Sequence, residues 1–390
     1  MTSVSTLRLG VMLAAVAAVA LSIPAMAADT VDTKKVRVQV ETIAAGLENP
    51  WAVAALPDGG YLVTERPGRL RIVRDGKLSA PISGVPKVSA RSQGGLLDVE
   101  LAPDFATSRV LYLTAATIGD GGSGTEAFSA TLSDDGTALE NVKSIFKMRK
   151  FTSAGLQYGS RIAIARDGSL FISVGDRGDR DRSQDWGDDA GSIVHINADG
   201  SIPADNPFKD GGPLKDGGKP LPEIWSKGHR NPQGIAFDAA DGKLYTVEHG
   251  ARGGDEINGI EPGKNYGWPI ITYGRDYSGV EIGEGTAKKG LEQPLYYWDP
   301  SIAPGALAIY RGKMFPEWDG DFLVAALKFQ MLSRMQRDDS GAFVAEERMF
   351  DGAYGRMRDV VVAPDGALLI VTDEDDGALL RVSRAPADNG

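Results

Sequence analysis

One pattern of apolar and polar positions returns along the chain. A turn built on Asp-Gly or Pro-Asp leads into a short strand-like run, apolar at every second position or continuously. It reads LPDGGYLVTERPGRLRIV at 56–73, APDFATSRVLYLTAA at 102–116 and IARDGSLFISVGDRG at 164–178. It returns as FDAADGKLYTVEHG at 237–250, FPEWDGDFLVAALK at 315–328 and VAPDGALLIVTDED at 362–375. The copies are spaced about 46 to about 80 residues apart, the third to fifth units carrying long insertions. Units of this size cannot bury both faces alone, and stacking them around an axis does so. The pattern therefore predicts an all-β fold, a six-bladed β-propeller of four-stranded antiparallel blades. A β-sandwich or a pair of β-domains is the competing arrangement, but sandwiches rarely repeat one turn-strand signature six times. The run VRVQVETIAAGL at 36–47 precedes the first copy and is predicted to pair with the last blade and close the ring. Gly-rich stretches at 119–124 and 210–218 read as exposed loops, and the tail at 385–390 as frayed.

The first residues break the pattern. Arg8 precedes an Ala-rich apolar run at 11–23, and Ala25-Met26-Ala27 has the small-x-small form of a cleavage site. Residues 1–27 are thus expected to be a signal peptide cut after Ala27, and 28–390 a single propeller domain exported to the periplasm. No later segment is apolar enough to span a bilayer. The chain has no cysteine, which removes disulfides, thiolate metal sites and a cysteine nucleophile. Its net charge of −11 argues against a nucleic-acid partner.

Against that acidic background, Arg230, Lys328, Arg356 and Arg358 fall at predicted strand ends in different repeats. If they converge at one end of a propeller channel, they suit a ligand carrying carboxylates or phosphates. In Arg356-Met357-Arg358 the alternation of an extended segment puts both arginines on one side. The densest stretch, 223–269, holds two of the three histidines and the run HGARGGDEINGIEPGKNYGWP, whose glycines and carboxylates suit a hard cation such as calcium. The run DRGDRDRSQDWGDDAG at 176–191 is also acidic, but its interleaved arginines read as a self-paired, solvated loop.

Seven ordered motifs carry a resemblance: GLENPWAVAALPDGGYLVTERPGRLRIV, QGGLLDVEL, GSRIAIARDGSLFISVGDRGDRDRSQD, GHRNPQGIAFD, EHGARGGDEIN, KNYGWP and GRMRDVVVAPDGALLIVTD. Together they resemble the soluble aldose sugar dehydrogenases that depend on pyrroloquinoline quinone (PQQ), the family of soluble quinoprotein glucose and glucose/sorbosone dehydrogenases. The resemblance implies PQQ at one end of the channel, held by Gln93, Arg230, Asn231, Lys328, Arg356 and Arg358, with Tyr277 as a weaker candidate. It implies a calcium ion on the carbonyls of Gly250 and Ala251, and a second calcium site at Glu256 and Tyr266. Ala251 stands where the family usually has proline. The substrate implied is an aldose, oxidised at its anomeric carbon to a lactone, with electrons passing to a quinone or small redox carrier.

The same resemblance exposes a departure. The family's base is a histidine in His-aromatic-Gly-Ser/Gly-Arg, and this chain reads Gln157-Tyr158-Gly159-Ser160-Arg161. Glutamine does not accept a proton near neutral pH. Catalysis then rests on Arg230 as electrophile with Gln157 in the base position, and weak turnover is expected. Two alternatives stand beside it: a non-catalytic propeller that binds PQQ or sugar, and a calcium-dependent hydrolase of the lactonase type.

Overall fold

A computed structural model describes residues 28–211, 219–338 and 340–386. The expected leader, most of the 210–218 loop and the last four residues lie outside them. The described chain forms six antiparallel sheets, five of four strands and one of five. The innermost strands of blades 1 to 6 are Pro50–Ala55, Leu96–Leu101, Gly159–Ile164, Pro232–Asp238, Pro304–Ile309 and Met357–Val362. Each packs beside the next around a central channel, and the sixth beside the first. The strand Arg37–Leu47 pairs antiparallel with Gly377–Arg384, Val40 opposite Val382, so the N-terminal segment completes the last blade as expected. A further strand, Asp29–Asp32, adds an outer edge that the sequence pattern did not suggest. One α-helix occurs among the described residues, the single turn Phe105–Ser108.

The short apolar runs are explained by burial on both blade faces. Along Leu368–Thr372, Leu368 and Ile370 enter the cluster between blades 5 and 6. Leu369 and Val371 enter the cluster between blades 6 and 1. Each of the six seams has such a cluster. Burying apolar area at about 25 cal/mol per Å² makes these seams the main favourable term of the fold. The segment 119–124 is a tight hairpin: Asp120 and Gly121 form an exposed turn as expected, but Gly122 and Gly124 belong to the strand Gly122–Leu132, and a Cβ on Gly124 would lie 2.3 Å from the Phe151 ring. Its glycines allow close packing rather than an open loop.

Every inner strand carries a β-bulge at the same place, between its first residue and its third or fourth. A bulge adds one unpaired residue and re-aims the side chains beside it. Repeated six times, it turns the beginnings of the inner strands toward the channel.

The third inner-strand positions are Ala52, Asp98, Arg161, Gly234, Ala306 and Asp359. Arg161 fills the channel there. Its guanidinium donates to Asp98 Oδ1 (2.9 Å) and to the carbonyls of Gln233 (2.9 Å), Gly305 (3.0 Å), Arg358 (3.1 Å) and Trp51 (3.4 Å). It also pairs with Asp359 Oδ1 at 3.0 Å and lies 3.9 Å from the Trp51 ring centroid. One side chain therefore ties its own blade to the other five. Asp98 and Asp359 return to the backbone, accepting from Ile162 N and Val53 N. Replacing Arg161 by Met is expected to destabilise the fold by about 3–5 kcal/mol, because two buried carboxylates lose their counter-charge. Urea unfolding of the variant measures this, and a loss under about 1 kcal/mol would contradict the role given to Arg161.

Candidate active site at one end of the channel

On the bulge side of Arg161 lies a cavity of about 320 Å³. Its walls follow the repeat register. The residue just before an inner strand supplies Asn231, Ala303 and Arg356, and the second residue of an inner strand supplies Trp51, Gln233 and Arg358. The residue just after a second strand supplies Arg66, His249, Leu327 and Asp373. Ser92 and Gln93 complete the rim. Of the expected ligand contacts, the fold brings Gln93, Asn231, Arg356 and Arg358 around this one space.

The polar lining consists mostly of donors, and the hydrogen bonds set their orientation. Gln93 Oε1 accepts the backbone N–H of Gln157 (2.7 Å), leaving its NH₂ as the free end. Asn231 Oδ1 accepts the N–H of Gly159 (3.1 Å), with the same result. Arg358 donates to Gln233 Oε1 (2.6 Å) and Asp373 Oδ2 (2.6 Å). Arg356 is half-buried and its Nη1 reaches the Leu327 carbonyl at 3.4 Å. Asp373 is the one carboxylate in the wall. Burial opposes its charge, but Arg358, Arg66 and Arg356 outweigh burial and hold its pKa below the ordinary value. Three guanidinium groups against one carboxylate leave a space that favours an anion rich in acceptors.

His249 links this cavity to a tighter space of about 10 Å³ lined by Arg230, Glu248, Gly250, Glu256, Tyr266 and Trp268 among others. Arg230 donates to the Gly250 carbonyl and lies 5.4 Å from the Trp268 ring centroid. His249 Nε2 is 2.7 Å from the Pro304 carbonyl, so that nitrogen carries the hydrogen. Burial, then the charges of Arg230 and Arg358, lower its pKa to about 3, which keeps the imidazole neutral. Glu256 stands opposite Glu248 across a strand pair, and burial followed by that neighbouring carboxylate raises its pKa to about 8. Ala251 is buried in a small apolar cluster with Trp268 and Ile282. The Tyr266 hydroxyl donates to the Gly259 carbonyl and accepts from Glu261 N, while its ring stacks on His229 at 4.8 Å. Among the described residues no group of three or more His, Cys, Asp or Glu side chains is arranged to hold a metal ion.

Two expected contacts stand apart. Tyr277 is 71% exposed and lines neither space. Lys328 is exposed, with Nζ 5.2 Å from the Phe329 ring, and its neighbour Leu327 lines the cavity instead. Gln157 is buried next to the rim, its N–H on Gln93 and its carbonyl accepting from Arg177 N (3.3 Å). It has φ +54°, and Gly159 and Ser160 follow at +63° and +77°. Such strained backbone persists only where its surroundings enforce it. Here they do: a Cβ on Gly175 would meet the Gln157 carbonyl at 2.1 Å, and Thr114 Oγ1 holds the Ser160 carbonyl at 2.6 Å.

The loop at 176–191 is self-paired as expected, Arg182 to Asp188 at 2.9 Å, but it is not simply solvated. Asp176, Arg177, Ser183, Asp188 and Asp189 are buried. The fully buried Lys227 ammonium donates to the carbonyls of Asp188 (2.6 Å) and Ala190 (2.5 Å), the task a bound cation would otherwise perform. His229 and His195 are likewise occupied inside the fold, His229 between Glu248 Oε1 and Ser226 Oγ, His195 between Asn206 and Ser169.

The sequence matches the glucose/sorbosone dehydrogenase family over residues 47–381. The chain belongs to that family. It is 44% identical over 353 residues to the aldose sugar dehydrogenase YliI of Escherichia coli K12, covering 89% of this chain and 93% of that one. The fold of this family member is similar to the crystal structure of the soluble aldose sugar dehydrogenase of E. coli in its apo form. That match has a TM-score of 0.84 and 43% identity, covering 89% and 100% of the two chains. It is also similar to the PQQ-bound form of an aldose sugar dehydrogenase from Streptomyces coelicolor. There the TM-score is 0.71 and the identity 28%, over 89% and 98% of the chains.

Lys227 gives this family member a pH signature. Burial, against the pull of Asp188, Asp189 and Asp185, lowers its pKa to about 7. In the unfolded chain it returns to about 10.4. Between those values the unfolded state binds the extra proton, so stability rises with pH; below about 7 the cost of the buried ammonium is fully expressed. Relative to Lys227→Met, the native chain should gain up to about 1.4 kcal/mol per pH unit over this window in urea unfolding. Parallel curves for the two proteins would show that Lys227 is not titrating there.

Proposed function

We propose that the chain is an exported sugar dehydrogenase that uses PQQ and calcium to oxidise aldoses at the anomeric carbon to lactones, with turnover limited by Gln157. The observation that carries this reading is the donor-lined cavity: Arg356 and Arg358 with the free amide ends of Gln93 and Asn231. PQQ has three carboxylates and an ortho-quinone, acceptors throughout, and these residues fit it. Bound there, PQQ supplies a carbonyl that accepts hydride. Arg230 stands beside His249, where the cavity meets the tighter space, and is the group suited to stabilising negative charge that develops on that side. Gln157 is able to hydrogen-bond a sugar hydroxyl but not to take its proton.

Calcium belongs to the same reading. Glu256 is a half-buried carboxylate beside a buried one, Glu248, in a space about the size of one small ion. One hard cation on the backbone carbonyls of Gly250 and Ala251 would take over the Gly250 carbonyl from Arg230, and a second at Glu256 and Tyr266 would relieve that repulsion. Export rests on the leader at 1–27, and the partners in this reading are an aldose and a quinone or small redox carrier. Lys328 and Tyr277 remain proposed contacts only if their exposed side chains fold inward over the ligand. The second reading, a propeller that binds PQQ or sugar without turnover, draws on Gln157 alone.

The test is reconstitution of the purified protein with PQQ and calcium, followed by dye reduction across a panel of aldoses. Saturable binding with slow reduction is expected, and absence of PQQ binding overturns the proposal. Gln157→His should raise the rate by about 10²–10⁴ by restoring a general base. Binding with no turnover in either protein would select the second reading.

A further inference from the structure

Arg66 lines the cavity but is not among the contacts that the family resemblance implies. It directly follows the strand Tyr61–Glu65, in the register that places His249, Leu327 and Asp373 in the wall of other blades. Its Nη1 donates to the Ser92 carbonyl (2.8 Å), beside Gln93. Its Nη2 lies 3.5 Å from Asp373 Oδ1, an ion pair beyond hydrogen-bond length. Its Nε is buried and has no hydrogen-bond partner, and neither has Asp373 Oδ1. Asp373 spends its other oxygen on Arg358, so the Nε–Nη2 edge of Arg66 makes no hydrogen bond. That edge is the one a guanidinium uses to grip a carboxylate with two parallel bonds. Turning it toward a ligand, with Nη1 kept on Ser92 as the pivot, breaks no existing hydrogen bond.

We propose that Arg66 is a ligand-binding residue whose Nε–Nη2 edge takes one carboxylate of the cofactor, from the blade next to that of Arg356. The assignment rests on the PQQ reading above and extends it to blade 1. It also accounts for a positively charged group left with an unsatisfied donor beside a donor-lined space.

The test measures PQQ affinity of the full-length purified protein, by equilibrium dialysis and by quenching of tryptophan fluorescence, for native, Arg66→Gln and Arg66→Lys proteins. Arg66→Gln should raise Kd about 10- to 100-fold, the loss of a charge-assisted bidentate pair, with Arg66→Lys in between. The unliganded melting temperature of each variant is measured alongside; if Arg66→Gln does not fold, Arg66→Lys decides. The discriminating probe is PQQ trimethyl ester, which has no carboxylate charge. Native and Arg66→Gln proteins should bind it alike. An Arg66→Gln Kd within twofold of native for PQQ overturns the inference. Equal losses for PQQ and its ester also overturn it, since they make Arg66 a support for the Ser92–Gln93 turn only. Failure of the native protein to bind PQQ removes the underlying reading, and this inference with it.

Discussion

A single guanidinium sits where all six blades meet. Arg161 is held by two carboxylates and four carbonyls, one or more from every other blade, and lies against the Trp51 ring. The apolar seams join each blade only to its neighbours, so they do not themselves fix the channel's width. Arg161 does. It fits because the same layer holds Ala52, Gly234 and Ala306, and a Cβ on Gly234 would lie 2.5 Å from Leu307 N. It also divides the channel, leaving about 320 Å³ on the bulge side and about 300 Å³ beyond. The cavity floor is therefore part of the same polar network that closes the ring.

The six bulges convert this symmetric frame into an asymmetric site. Each presents equivalent backbone positions to the channel, and the chain fills them unequally: arginines from blade 6, amides from blade 4, a small or apolar residue from blade 5. Because Gln93 and Asn231 spend their carbonyl oxygens on backbone N–H groups, they face the cavity as donors. The anion preference thus comes from hydrogen bonds made away from the ligand as much as from formal charge.

The segment 157–160 is held through its backbone. Its left-handed backbone is enforced by glycine contacts and by buried hydroxyls. Glutamine at 157 changes none of those constraints, which act on the backbone. Its N–H still orients Gln93. On the function proposed above, the donor-lined cavity would consequently stay intact whatever side chain stands at 157.

The repeated turn-strand pattern by itself determined six blades and the closing role of 36–47, because local turn chemistry and double-faced burial both leave marks in short windows of sequence. Ordered motifs pointed to Gln93, Asn231, Arg356 and Arg358. The pattern also held an unread signal: the position after each second strand, which yields Arg66 and Asp373. What only tertiary structure decided is which side chains meet. Arg177 and Lys227 are as charged in sequence as Lys328, yet the first two are fully buried and Lys328 is exposed. Nothing local distinguishes them, because burial here is set by packing partners dozens of residues away in the chain. The same holds for Arg161, whose partners span residues 51 to 359 and converge only when the ring is closed.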